Sequence, residues 1–144
     1  PQDLRQAFEV NLVAPLVLNS LVVPFMGKGS SVIFVGSTLS EKAVPNLASY
    51  CTTKHALVGM MRSFCQDVTS PKIHTCMVCP GFTETEMLVK RAGGKQEILN
   101  DLKELVKAKR LITPQEMAEF ILYCAKSPIL NGSVLHAHLG QVER

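Results

Sequence analysis

The sequence predicts an α/β fold with a parallel sheet covered by helices on both faces. Two short, nearly continuous apolar runs, Ser31-Val-Ile-Phe-Val35 and Ile73 to Cys79, suit strands buried on both sides. Helical periodicities surround them in the order helix, strand, helix, strand, helices, strand, the alternation that parallel sheets require. With 47% apolar and 19% charged residues over 144 positions, the chain is too apolar to be disordered and long enough to bury a core.

The first helix is expected from Asp3 to about Met26. Val10, Val13, Val17, Leu21 and Val22 form one apolar face, and Leu12, Leu16, Leu18, Val23 and Phe25 extend it almost all round, so burial on most sides is expected. Gly27-Lys-Gly-Ser30 turns into the first strand, and Gly36 to Asn46 reads as a loop. From about Ala48 to Val68, Ala56, Met60, Phe64 and Val68 recur four apart; Ser70-Pro71 is expected to end that helix. The second strand closes at Pro80-Gly81. In the long connection that follows, Ile98, Leu102, Leu105 and Val106 mark an amphipathic helix. Thr113-Pro114-Gln115-Glu116 starts another with a cap, a proline at the first helical position and a capping-box glutamate; it runs to about Ala125. A last strand is expected from Ser133 to Leu139.

A net charge of +3, no Trp and no dense basic block give no support for a nucleic-acid partner. The longest nearly unbroken apolar run, Leu12 to Leu18, contains Pro15 and falls short of the roughly 20 residues a bilayer needs, so no membrane span is expected. Five cysteines without a signal peptide suggest reduced thiols and a cytoplasmic location.

Chemistry is expected at the carboxyl ends of the strands. Ser37 follows the first strand; Tyr50 and Lys54 follow it on the long helix, four apart and so on one face. A cation within about 4–6 Å favours phenolate by about 1–3 pKa units, which would make Tyr50 a workable proton donor and acceptor at neutral pH. Ser37 is placed to hold a substrate oxygen. With two Tyr and ten Lys in the chain, a Tyr-x-x-x-Lys arises by chance with odds of about one in seven, so the pair alone decides nothing. Asn11 adds a separate signal. Pro15, four residues on, has no N–H to give the Asn11 carbonyl, leaving it free for a water or side chain. A simple packing kink is the plainer reading of that feature.

Together, Asn11, Val32-Ile-Phe-Val-Gly-Ser37, Tyr50-Cys-Thr-Thr-Lys54 and Cys79-Pro-Gly-Phe-Thr-Glu-Thr85 resemble the short-chain dehydrogenase/reductase family, in the style of its carbonyl and 3-oxoacyl reductases. The resemblance implies part of a Rossmann-like, doubly wound sheet. It also implies hydride transfer between NAD or NADP and a small carbonyl or alcohol substrate. Tyr50 would be the general acid in reduction and the base in oxidation. Lys54 would assist it and bind the nicotinamide ribose, and Ser37 would polarise the carbonyl. Asn11 would hold, through its main chain, a water linking Lys54 to solvent. Pro80, Gly81 and Thr83 would line the nicotinamide, with Thr85 near its carboxamide or the phosphates. Residues 86–112 would form the substrate lid. Helices 3–26 and 48–68 would form the contact of a homodimer or homotetramer.

The family's Gly-rich pyrophosphate turn is absent: Gly27-Lys-Gly29 precedes a strand and Gly93-Gly94 lies in the connection. By analogy, residues 1–144 are the C-terminal part of one oxidoreductase domain whose N-terminal half is missing. Alone, the chain is expected to bind NAD(P) poorly and to leave a strand edge and an apolar face bare. His136-Ala-His-Leu-Gly140 departs from the family's usual C-terminal Asp-Gly-Gly. The alternative function is a non-catalytic relative acting in subunit contact or regulation.

Other features read plainly. Cys76-Met-Val-Cys79 has metal-pair spacing, but i and i+3 of a strand point to opposite faces, so buried thiols are expected. His136 and His138 share a strand face without a third ligand. The basic stretch Lys103 to Arg110 reads as a solvated helix face.

Overall fold

A computed structural model of the chain describes residues 2–68 and 73–141. Three parallel strands, β1 (Ser30–Val35), β2 (Ile73–Pro80) and β3 (Val134–Ala137), form a sheet in the order β1-β2-β3. Ser30 pairs with Ile73 and Met77 with Val134. The central strand is buried from His74 to Cys79, and its two-residue alternation builds two cores. Met77 and Cys79 join Leu12, Phe34, Leu57, Val58 and Met61 on one face, where helix α3 (Ala48–Asp67) packs. Cys76 and Val78 join Ile112, Met117 and Cys124 on the other, under helix α6 (Pro114–Ala125). Helices therefore cover both faces, as expected for a parallel sheet, and Cys76 and Cys79 sit in different cores.

The N-terminal helix is one run in four pieces: α1 (Gln2–Phe8), a π turn (Glu9–Val13), α2 (Ala14–Val22) and a 3-10 turn (Val23–Phe25). In the π turn the Ala14 N–H bonds the Glu9 carbonyl, depriving Val10 of its ordinary donor, and Pro15 has none to offer Asn11. The break thus falls at the Asn11/Pro15 pair, where the sequence signalled it. Burial on most sides is not found. Among the described residues of this run only Leu12 is buried, while Leu16, Leu18 and Leu21 are more than half exposed. The run packs on α3 along one flank, and the rest of its apolar surface has no covering element.

Two further expectations change. The run Gln2–Phe25 is long and apolar enough, by length and composition, to cross a membrane. Counting unbroken apolar residues missed this, because Asn11, Asn19 and Ser20 interrupt the run without making it polar. Here it serves as a flank of the α/β unit, with Leu12 in the core and the Asn11 amide donating to the buried Thr53 hydroxyl at 2.9 Å. β1, expected to be fully buried, is an edge strand with only Phe34 buried and Val35 46% exposed.

The connection after β2 holds two helices, α4 (Glu86–Arg91) and α5 (Gln96–Glu104). α4, only six residues long, is too short to show a period. The buried side of α5 is Leu99, in a small core with Ala92 and Leu111. Ile98 and Leu105, expected on the apolar face, are 40% and 38% exposed, and Leu105 and Val106 lie past the helix end. β3 is shorter than expected; Leu139 at φ +51° has left the extended region. The Ser70-Pro71 stop lies outside the described residues.

The start of α6 is built as its sequence indicates. The Thr113 hydroxyl accepts from the Glu116 N–H at 3.2 Å, and the Glu116 carboxylate accepts from the Thr113 N–H at 2.9 Å. Arg110 forks onto the same carboxylate at 2.6 and 2.8 Å. The Arg110 guanidinium first, then the Thr113 donors, holds the Glu116 carboxyl at about 2. A depressed carboxylate stabilises the fold above its unfolded value near 4.5, and the contribution fades as pH falls towards 2. Glu116→Gln is therefore expected to flatten the loss of stability between pH 4.5 and 2 in urea unfolding, and an unchanged acid limb would contradict this. Thr113→Ala should cost about 1 kcal/mol at neutral pH.

Candidate active site

Ser37 and Lys54 stand at the carboxyl end of β1, and Tyr50 lies one turn before Lys54 on the same helix. Ser37 follows the strand after Gly36, whose close surroundings explain its lack of a side chain. A Cβ there would lie 2.8 Å from Ser40 Oγ and 2.9 Å from both Cys79 Sγ and Met77 Sδ. The Ser37 hydroxyl accepts from the Leu39 N–H at 3.1 Å and caps a 3-10 turn, Thr38–Ser40, within the expected loop. Its own proton stays free to donate.

α3 carries Tyr50 in its first turn and Lys54 one turn on. Lys54 Nζ donates to the Val35 carbonyl at 2.9 Å, tying α3 to the tip of β1, and lies 5.6 Å from the Tyr50 ring centroid. Burial lowers the Lys54 pKa, partly opposed by the neighbouring Cys79 sulfur. With one acceptor found, two of its N–H groups remain available for ligand hydroxyls.

Asn11 joins this cluster in a way that sequence did not indicate. Its side-chain amide donates to Thr53 Oγ1, and that hydroxyl donates to the Tyr50 carbonyl, also at 2.9 Å. Thr53 is fully buried, so the chain of two bonds fixes the first turn of α3 against the kinked helix. A cavity of about 410 Å³ lies alongside, lined among others by Val10, Asn11, Pro15, Val35 and Lys54. The helix kink and the ammonium thus share one solvent-accessible space.

Pro80 and Gly81 stand at the carboxyl end of β2. A Cβ on Gly81 would come within 2.8 Å of His138 Cα and Cβ, so glycine is needed for this segment to pass the turn that follows β3. Thr83 donates to the Gly81 carbonyl at 3.1 Å and bridges to Ile112, and Thr85 caps α4 by accepting from the Leu88 N–H at 3.3 Å. Near the same rim, His136 Nε2 and Glu41 Oε2 lie 3.0 Å apart, linking β3 to the Ser37 loop.

Sequence reasoning missed three members of this neighbourhood. Thr53 shows only as a polar residue beside Lys54. Cys79 is recognisable as a strand residue but not as the floor under Ser37 and Ser40. Arg91, from α4, places Cζ 5.6 Å from the Tyr50 ring centroid; forty-one positions separate the two, and no local pattern announces the contact. Burial, with Cys124 beside it, pushes Cys76 up to about 11, and burial also raises Cys79.

Thr53→Val keeps the shape and removes the hydroxyl shared by Asn11 and Tyr50. It is expected to cost about 1–3 kcal/mol in urea unfolding, because the Asn11 amide loses its acceptor; stability equal to the parent would contradict the role given to Thr53.

Comparison with known proteins identifies the fold. The family described as enoyl-(acyl carrier protein) reductase matches residues 1–141. Carbonyl reductase family member 4 of Xenopus tropicalis is 29% identical over 136 residues, covering 93% of this chain and 55% of the relative. An uncharacterized oxidoreductase of Thermotoga maritima is 30% identical over 142 residues, covering 94% and 57%. A short-chain dehydrogenase/reductase from Serratia marcescens superposes with a TM-score of 0.85 at 29% identity, over 96% of this chain and 56% of that one. The angucycline C-6 ketoreductase LanV, solved with bound NADP, gives 0.80 at 25% identity, over 91% and 51%. The chain therefore spans little more than half the length of these relatives. It belongs to the short-chain dehydrogenase/reductase family and has the Rossmann-type fold of that family's oxidoreductases.

Proposed function

We propose that residues 1–144 are the C-terminal part of one NAD(P)-dependent oxidoreductase domain that reduces a small carbonyl compound or oxidises the matching alcohol. The observation that carries this reading is the Lys54 ammonium, bonded to the tip of β1 and 5.6 Å from the Tyr50 ring. The residues fit the nicotinamide half of the cofactor. Lys54 keeps free donors for ribose hydroxyls, and Pro80, Gly81, Thr83 and Thr85 form the rim of β2 beside it. The pyrophosphate half needs a Gly-rich turn that these 144 residues lack. The bound nicotinamide supplies the hydride.

The chain's own residues do the rest. The Ser37 hydroxyl, its oxygen held by the Leu39 N–H, donates to the substrate carbonyl oxygen and polarises it. Tyr50 gives that oxygen its proton in reduction and takes it back in oxidation. Lys54 stabilises the negative charge left on the phenol oxygen. Solvent replaces the proton through the cavity that Asn11, Pro15 and Lys54 line, with the Asn11 main chain holding the linking water. Residues 86–112 act as the lid, and the exposed apolar face of the run Gln2–Phe25, with α3, serves a contact between copies.

The test is carbonyl-dependent NAD(P)H oxidation, measured on the chain as it stands and with an upstream Gly-rich half restored. Turnover is expected in the restored protein, and Tyr50→Phe should lower it by at least about 100-fold without shifting Tm. Wild-type rates in Tyr50→Phe would overturn the reading.

A further inference from the structure

We infer that Arg91 makes this site selective for substrates that carry an anionic group, a carboxylate above all, within a few bonds of the reacting carbonyl. The inference rests on the functional reading above and specifies its substrate class.

Arg91 ends α4, and its guanidinium reaches back over the catalytic neighbourhood to lie 5.6 Å from the Tyr50 ring centroid. Lys54 Nζ stands at the same distance from the same ring. Two cations therefore lie near the Tyr50 ring.

Of the other basic side chains in the connection, Lys95, Lys103 and Lys107 have no acidic partner among the described residues, and three are paired. Lys90 is paired with Glu86 at 3.4 Å, Lys109 with Glu104 at 2.7 Å and Arg110 with Glu116 at 2.6 Å. Arg91 has no hydrogen bond and no acidic partner among the described residues; its one polar interaction is with the tyrosine ring. The acid nearest the Ser37 loop, Glu41, is taken up by His136. A planar fork of donors without a carboxylate, exposed beside the Tyr50 ring, is complementary to a planar anion. A cation–π contact is weak enough to be exchanged for a bidentate ion pair when such an anion enters. The short reach from guanidinium to phenol requires the anion and the carbonyl to belong to one small molecule, as in a 2- or 3-oxo acid. Because α4 hangs on the Thr85 cap, this pairing would also draw the connection over the substrate.

The test compares acetoacetate with its methyl ester, which has the same ketone without the charge. Binding is read by calorimetry or ligand-observed NMR on the full chain, so that it does not depend on hydride transfer. The wild type is expected to bind the acid at least tenfold tighter than the ester. Arg91→Gln should abolish that ratio while leaving ester affinity and Tm unchanged, and Arg91→Lys should restore part of it. Equal affinities in the wild type, a ratio unchanged in Arg91→Gln, or no binding of either compound would overturn the inference. So would a loss of pyrophosphate binding in Arg91→Gln with the acid-to-ester ratio intact, which would assign the guanidinium to cofactor phosphate. Acid preference in a protein that carries an upstream Gly-rich half and still shows no turnover would leave the anion site standing and count against the hydride-transfer reading instead.

Discussion

The hydrogen bond from Lys54 Nζ to the Val35 carbonyl is the constraint around which this site is organised. A lysine on an amphipathic helix ordinarily carries its charge into water; this one is half-buried and spends one donor on the last residue of a strand. That contact fixes the rotation of α3 about its own axis relative to β1. Tyr50, one turn earlier on the same face, is thereby brought to the strand tip where Ser37 emerges. The price is visible in the lowered basicity of the lysine, which burial alone explains in direction.

Support for this arrangement comes from below and from the side. Gly36 lets the chain pass over Cys79 and Met77 without a side chain in the way, and Gly81 does the same where the end of β2 meets His138. The kinked N-terminal run contributes through Asn11 and Thr53, two bonds from the Tyr50 backbone. The same run leaves most of its apolar surface uncovered, and β1 is an edge strand. Both features are continuous with the fact that the chain spans little more than half of its relatives' length. Burial of that surface, by further strands or by another copy, would stabilise the flank that carries Asn11.

The parts of the fold legible in the sequence were those governed by local pattern. β2 showed as an unbroken apolar run because both of its faces are covered, and α6 announced itself through Thr113, Pro114 and Glu116. The Asn11/Pro15 break followed from the chemistry of proline alone. What was not legible depends on neighbours. The apolar girdle of the first helix could not tell burial from exposure, since composition does not say whether anything packs against it. The same limit hid the membrane-span character of Gln2–Phe25, whereas the edge position of β1 followed from the missing Gly-rich half. In the site, Tyr50 and Lys54 were readable from helical spacing and Ser37 from its place after a strand. Thr53, Cys79 and Arg91 enter through contacts across 42, 39 and 41 positions respectively, to Asn11, Ser40 and Tyr50, which no local periodicity encodes.

The central claim, that the Lys54 ammonium works on Tyr50 and does not merely hold the helix, is tested most directly by Lys54→Met in the protein with its upstream half restored. Rate and stability are measured on the same sample. The account predicts that kcat for carbonyl reduction falls by at least about 100-fold while Tm changes by only a few degrees, since methionine fills the same half-buried channel. A variant that retains the parent rate, or loses rate only in proportion to the fraction unfolded, would contradict it.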